Sequence, residues 1–298
     1  MLDDVEPLPA ALPEGLRGRV RPDVDVVVVA GEVVDVGVLD LLPRLRLVAN
    51  CGVGYDHIAV SECSQRGVRV TYTPGVVDAA TADLAFGLLL ATRRQIVAAD
   101  RFVRAGRWQT APVDGLVGQD LSRATLGIVG LGRIGTAVAR RGRAFDMRVI
   151  YTARSPRSAE VERQLGIEYR SLDDLLREAD VVTLHCPLNA ETAALLDAGR
   201  LSLLRDGTCV INTARGGIVD EVALVRELRS GRLHAGLDVF AHEPAVPAEL
   251  LELENVVLTP HVGTLTAETR AAMIDLVVQN IVALANNRPL LTPVGHDS

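Results

Sequence analysis

Short runs of aliphatic and β-branched residues recur along this chain, separated by longer stretches in which apolar positions return every three or four residues. The runs cover residues 24–30, 47–50, 68–72, 125–129, 148–151, 181–185, 209–212, 235–239 and 256–259. Runs that are apolar at nearly every position, rather than at alternate ones, suit strands buried on both faces of a parallel sheet. With helices between them, they predict an α/β fold of doubly wound parallel sheets.

Between residues 78 and 107, Ala79, Ala82, Ala85, Leu88, Leu89, Thr92 and Ile96 recur at helical spacing and predict one long helix. Pro74-Gly75 just before it is a natural break, so a domain crossover is placed there. A second long helix is expected over about 266–286, bringing the chain back to the first domain. The predicted domains are therefore 1–74 with 266–298, and 75–265. Pro7, Pro9 and Pro13 make the opening residues a poor strand, so the first strand of that domain is expected to be missing or truncated.

At 298 residues and 48% hydrophobic content, the chain has enough material for two cores. It has no run of eighteen apolar residues, and Met1-Leu2-Asp3-Asp4-Val5-Glu6 lacks the basic start of a signal peptide, so a cytoplasmic location is expected. A net charge of −7 disfavours nucleic acid and anionic membranes as partners. Cys51, Cys63, Cys186 and Cys209 form no CxxC pair and have no histidine at zinc-ligand spacing, which predicts reduced thiols and no metal. All 31 basic residues are arginine. Without lysine, Schiff-base and pyridoxal phosphate chemistry, the phosphate-binding P-loop and the lysine-dependent short-chain and β-hydroxyacid dehydrogenases are excluded.

One motif points to a cofactor. The run 125–129 leads into Gly130-Leu131-Gly132-Arg133-Ile134-Gly135, followed by a helix predicted from Thr136 to about Phe145. Set between a strand and a helix, GxGxxG is a strong dinucleotide signal. Gly130 permits the tight turn, Gly132 lets backbone approach a pyrophosphate, and Gly135 allows close helix packing. The next strand should end on an acid that binds the ribose 2′-hydroxyl of NAD. Here the chain reads Thr152-Ala153-Arg154-Ser155-Pro156-Arg157, two guanidiniums and two hydroxyls suited to a 2′-phosphate. NADPH is therefore expected over NADH, with NADH still usable.

Dinucleotide-linked reduction of a carbonyl needs a proton donor and a group to keep the donor charged, and a substrate that carries a carboxylate adds the need for a cation. Arg215, beyond the run 209–212, His261, beyond 256–259, and Glu243, beyond 235–239, sit where open α/β sheets place ligands. A histidine, with an unperturbed pKa of about 6.5, suits a proton donor at neutral pH, and an adjacent carboxylate would favour its charged form. His185, ending the run 181–185, is read as lining the cofactor wall. His57, His234, His242 and His296 carry no such context.

From about residue 24 to 289 the chain resembles a D-2-hydroxyacid dehydrogenase, and within that family the glyoxylate/hydroxypyruvate reductases. The most specific stretches are 127–135, 212–221 (Asn212-Thr213-Ala214-Arg215-Gly216-Gly217-Ile218-Val219-Asp220-Glu221) and Gly236-Leu237-Asp238-Val239-Phe240 through Glu243-Pro244. The resemblance implies a Rossmann nucleotide-binding domain inserted in a flavodoxin-like substrate domain, with hydride transfer to a small 2-keto acid. It carries the family's Arg/Glu/His set onto Arg215, Glu243 and His261. Its substrate loop falls on Asn50-Cys51-Gly52-Val53-Gly54-Tyr55-Asp56, where the Val53 and Gly54 amides would hold the carboxylate beside Arg215.

Further cofactor contacts implied are Arg133 and Ile134 in the turn, Ala153, His185, Cys186, Pro187, Thr192, Thr213 and Ala214. Asp238 would meet the nicotinamide carboxamide, and Thr81 would approach from the long helix. The family also implies a homodimer through the nucleotide domain, mainly over residues 77–121. The segment 108–118 is shorter than in those reductases and lacks a second tryptophan, which leaves substrate size open. The alternatives are a 3-phosphoglycerate-type dehydrogenase and a non-catalytic dinucleotide-sensing protein of the same fold.

Overall fold

The computed structural model describes residues 19–109 and 114–295. Pro7, Pro9 and Pro13, His296 and part of the 108–118 segment lie outside the described residues. The chain divides into two compact units, residues 1–77 with 266–298, and residues 78–265.

In the first unit, β1 (Val26–Val29), β2 (Leu47–Asn50) and β3 (Arg69–Thr71) form a parallel sheet in that order. Every residue of the central β2 is buried. Val48 packs on one face with Val27, Val29 and Val70, among residues of α1 (Val36–Leu41) and α2 (Val60–Gln65). Leu47 and Ala49 face the other way, against Val277 and Leu284 of a late helix, Ala267–Ala285. This double coverage explains why the strand is apolar throughout. Thr266 caps that helix by accepting from the Thr269 amide. The tail beyond it returns to the sheet edge, where the Val294 amide donates to the Val70 carbonyl and the Thr292 hydroxyl to Tyr72.

The second unit is built on seven parallel strands. They are β4 (Thr125–Val129), β5 (Arg148–Thr152), β6 (Ile167–Tyr169), β7 (Val181–Leu184), β8 (Cys209–Asn212), β9 (His234–Leu237) and β10 (Val256–Leu258). Their spatial order is β10-β9-β8-β7-β4-β5-β6. The winding reverses between β4 and β7, the place where an open sheet parts its loops and leaves a crevice at the strand ends. One face carries a core of Leu175, Leu176, Leu201, Leu224 and Leu228. The other carries Ala85, Leu88 and Leu89 of α3 (Asp78–Arg93) with Val138 and Ala139 of α5 (Arg133–Ala144).

Three sequence expectations need correction. The helix expected over 78–107 is two helices, α3 and α4 (Ile96–Arg104), broken at Gln95 with φ +52°. The Arg93 carbonyl, which would continue the ladder, accepts from the Gln119 amide, and the Gln95 side chain donates to the Val117 carbonyl. A distant segment thus takes the helix's hydrogen bond while the apolar period runs on unbroken. Second, α5 begins at Arg133 rather than Thr136, so the last residues of the glycine motif are already helical. Third, β6 was not anticipated, because three residues on a sheet edge leave too short a pattern.

Candidate active site

The glycine-rich turn follows β4 at the reversal point. Gly130 has φ +97°, and a Cβ there would lie 2.7 Å from the Cys186 amide nitrogen, so the turn needs glycine both for its conformation and for the close passage of the loop after β7. At Gly135 a Cβ would lie 2.1 Å from the Gly130 carbonyl oxygen, which is why α5 can begin directly on the turn. Gly132 differs: a Cβ there would meet no atom within 4 Å. It is the N-cap of α5 and supplies no side-chain cap, so the first-turn amides of a twelve-residue helix are left without a capping side chain. Beyond β8 the Thr213 hydroxyl is buried without a hydrogen-bond partner among the described residues. An open approach, uncapped amides and an orphaned buried hydroxyl fit a dinucleotide.

Beyond β5, Arg154 is exposed and makes no ion pair or hydrogen bond among the described residues. Arg157 is partly committed: its guanidinium donates to the Leu131 carbonyl at 2.6 Å, inside the glycine turn. Arg133 pairs with Asp78 at 2.9 Å. Beyond β7, burial pushes the His185 imidazole down to about 3, so it stays neutral, and its Nε2 shares a 2.8 Å hydrogen bond with the Thr183 hydroxyl. Burial pushes the Cys186 thiol up to about 11. The Thr192 hydroxyl closes its own loop by donating to the Pro187 carbonyl at 2.6 Å. All four cysteines are free.

Arg215, Glu243 and His261 lie beyond β8, β9 and β10, three neighbouring strands. His261 Nδ1 and Glu243 Oε2 are 2.7 Å apart, and Glu243 Oε1 accepts from the Phe240 amide at 3.0 Å. The carboxylate is therefore oriented from one side and aimed at the imidazole from the other. His261 holds φ +53°, a left-handed conformation uncommon for a residue with a side chain.

Asp238, fully buried, over-determines that turn: Oδ1 accepts from the Thr259 hydroxyl at 2.6 Å and the Val262 amide at 2.8 Å, and Oδ2 from the Gly263 amide at 2.9 Å. Its backbone carbonyl accepts from His261 itself at 2.8 Å. Burial raises the Asp238 pKa, and these hydrogen bonds oppose the rise. Thr81 is buried close by, its side chain 3.7 Å from the Cβ position of Gly263.

Several supporting residues were not singled out from sequence. The Asn212 side chain donates to the Arg215 carbonyl at 2.9 Å and accepts from the Ala214 amide at 3.0 Å, clamping the loop that presents Arg215. Glu221 accepts from the Ala241 amide at 3.1 Å, beside Glu243. Both stand in the 212–221 stretch, so their position was visible and their partners were not. In the first unit, the Asn50 side chain donates to the Gly52 and Gly54 carbonyls at 3.1 and 2.9 Å, and the Thr73 amide also donates to Gly52. That bracing leaves the Val53 and Gly54 amides making no hydrogen bond to protein among the described residues.

Residues 86–263 match the family model of the D-isomer specific 2-hydroxyacid dehydrogenase, NAD binding domain. A glyoxylate reductase of Thermococcus kodakarensis is 47% identical over 279 residues, which is 92% of this chain and 83% of the relative. One from Pyrococcus horikoshii is 48% identical over 275 residues, 91% and 82% of the two chains. Among solved structures, an NADPH-dependent glyoxylate/hydroxypyruvate reductase from Sinorhizobium meliloti, in complex with NADP and malonate, superposes with TM-score 0.85 at 42% identity, covering 92% of this chain and 85% of that one.

Proposed function

The chain belongs to the D-isomer specific 2-hydroxyacid dehydrogenases, and on that premise we propose that it reduces glyoxylate or hydroxypyruvate to the 2-hydroxy acid, with NADPH preferred. The observation that carries this reading is the 2.7 Å contact of His261 Nδ1 with Glu243 Oε2 on loops beyond adjacent strands. With Nδ1 engaged, Nε2 is left to face a substrate.

When bound, the reduced nicotinamide supplies the hydride that goes to the keto carbon. The turn from Gly130 to Gly135 would hold the pyrophosphate, Thr213 would answer a polar group of the cofactor, and Arg154 with Arg157 would hold the 2′-phosphate. Protonated His261 gives its Nε2 proton to the keto oxygen as that oxygen gains negative charge. Glu243 keeps the Nδ1–H in place and stabilises the imidazolium. The planar guanidinium of Arg215 pairs with the carboxylate and polarises the carbonyl. The unit of residues 1–77 and 266–298 is proposed as the substrate domain, in which the Val53 and Gly54 amides, engaged by no protein acceptor among the described residues, would suit a carboxylate.

The assembly we infer is a homodimer through the second unit. In its support, α4 buries none of its residues, and Ile96, Val103, Trp108 and Val117 are all exposed. Light scattering on the purified protein tests it.

The function is tested by initial rates of NADPH and NADH oxidation with glyoxylate, hydroxypyruvate and pyruvate in parallel. The expected result is NADPH-linked turnover fastest with one of the first two. Tight cofactor binding with no turnover of any keto acid would overturn the reading in favour of a dinucleotide sensor. Arg154→Asp should raise the KM for NADPH far more than that for NADH, and equal effects would remove the 2′-phosphate assignment.

A further inference from the structure

The loop that follows β5 is held in an unusual way. Among the described residues, no backbone–backbone hydrogen bond involves residues 153–157, the segment that carries Arg154, Ser155 and Arg157. Ala153 packs against the apolar core, and among the described residues two hydrogen bonds hold the loop, both through Arg157. Its guanidinium donates to the Leu131 carbonyl at 2.6 Å, and its backbone amide donates to the Tyr151 hydroxyl at 2.6 Å. That hydroxyl in turn donates to Glu162 Oε1 at 2.9 Å, in α6 (Ala159–Leu165). The Tyr151 ring is fully buried and set edge-on against Tyr169, centroids 5.6 Å apart, so the hydroxyl is a fixed point rather than a mobile one.

The two tethers differ in what a ligand does to them. A phosphate arriving at Arg157 competes with the Leu131 carbonyl for the guanidinium, because a charged acceptor makes the stronger hydrogen bond. The Tyr151 tether holds the backbone and is not in competition. It keeps the loop in place while the guanidinium turns to the ligand, and so reduces the ordering cost of binding.

We propose that Tyr151, oriented by Glu162, is a specificity-positioning residue that pre-organises the 153–157 loop for a 2′-phosphate. This rests on the reading of that loop as the 2′-phosphate pocket. A ligand ending in a bare ribose 2′-hydroxyl draws little on the loop, so Tyr151 affects it little.

The test is calorimetric binding of adenosine 2′,5′-bisphosphate and of 5′-AMP to the wild-type protein and to Tyr151→Phe, with no turnover involved. The expected result is a roughly five- to tenfold loss of affinity for the bisphosphate, the size of one or two neutral hydrogen bonds, with 5′-AMP changed by less than about twofold. Glu162→Gln, which retains an acceptor oxygen, should bind as wild type, and Glu162→Ala should resemble Tyr151→Phe. If Tyr151→Phe does not fold, the Glu162 pair carries the test. Wild type that discriminates between the two ligands, with variants that keep the same ratio, overturns the role of Tyr151 alone. Wild type that binds both ligands equally overturns the 2′-phosphate pocket and this inference with it.

Discussion

Replacing Gly216 with alanine sets a methyl group against the backbone that carries Glu243. A Cβ at that position would lie 1.9 Å from the Phe240 carbonyl carbon, 2.2 Å from its oxygen and 2.3 Å from the Ala241 nitrogen. None of these is the tip of a flexible side chain, so backbone must move. Reaching ordinary contact at 3.4 Å opens the junction by about 1.5 Å. A displacement of that size along the 2.7 Å contact between Glu243 and His261 takes it out of hydrogen-bond range. Since misplacement by about 1 Å can cost ~10²-fold in rate, kcat should fall by about that factor.

Overpacking of this kind also costs ~1–3 kcal/mol or more, or roughly 3–10 °C in Tm for a chain of this size. The assay is steady-state keto-acid reduction beside thermal unfolding. Gly217→Ala is the control, because its Cβ would meet only the Leu188 methyl groups at 3.3 and 3.5 Å, which can swing aside. Gly216→Ala with kcat within about threefold of wild type and an unchanged Tm would refute the claim that Gly216 seats the Glu243 loop.

Glu243→Gln should lower kcat by ~10²–10⁴ with cofactor affinity unchanged, because an amide that accepts from Phe240 must donate to His261 Nδ1, which then cannot carry a proton; near-normal kcat would point to another donor. Gly135→Ala, with its Cβ 2.1 Å from the Gly130 oxygen, should weaken NADPH and NADH alike by about tenfold or more in a fluorescence titration, and unchanged affinity would contradict the seating of α5 on the turn. His185 bears on acid stability. The unfolded chain takes up a proton there near pH 6.5, whereas the folded chain keeps the ring neutral down to about 3. Its contribution is therefore whole above pH 6.5 and is lost as the pH falls toward 3, by about 2–3 kcal/mol at pH 4 when discounted for a residue that is only half-buried. Denaturant melts at pH 7 and pH 4 should show a smaller acid loss for His185→Asn than for wild type, and equal losses would rule the residue out as the cause.

The elements that the sequence made legible are those whose information is local. Thr125–Val129, Val181–Leu184 and Cys209–Asn212 are buried at every position, and short, mostly apolar runs rich in β-branched residues between helical stretches suit strands covered on both sides. The glycine turn was legible for a similar reason: three glycines at fixed spacing have one geometry that needs all of them. Arg215, Glu243 and His261 could be placed at strand ends by counting along the chain.

What the sequence could not supply was who meets whom. The 18-residue gap between Glu243 and His261 closes to 2.7 Å only because β9 and β10 are neighbours. The left-handed His261 is held by Asp238 from across that pair, and the break at Gln95 is imposed by Gln119 from another segment. Tyr151 looks like one more apolar strand residue until its hydroxyl is seen to tie Arg157 to Glu162. Periodicity and propensity report which face of an element is buried. Hydrogen bonds between loops depend on strand order and register, and those emerge only when all the crossovers pack at once.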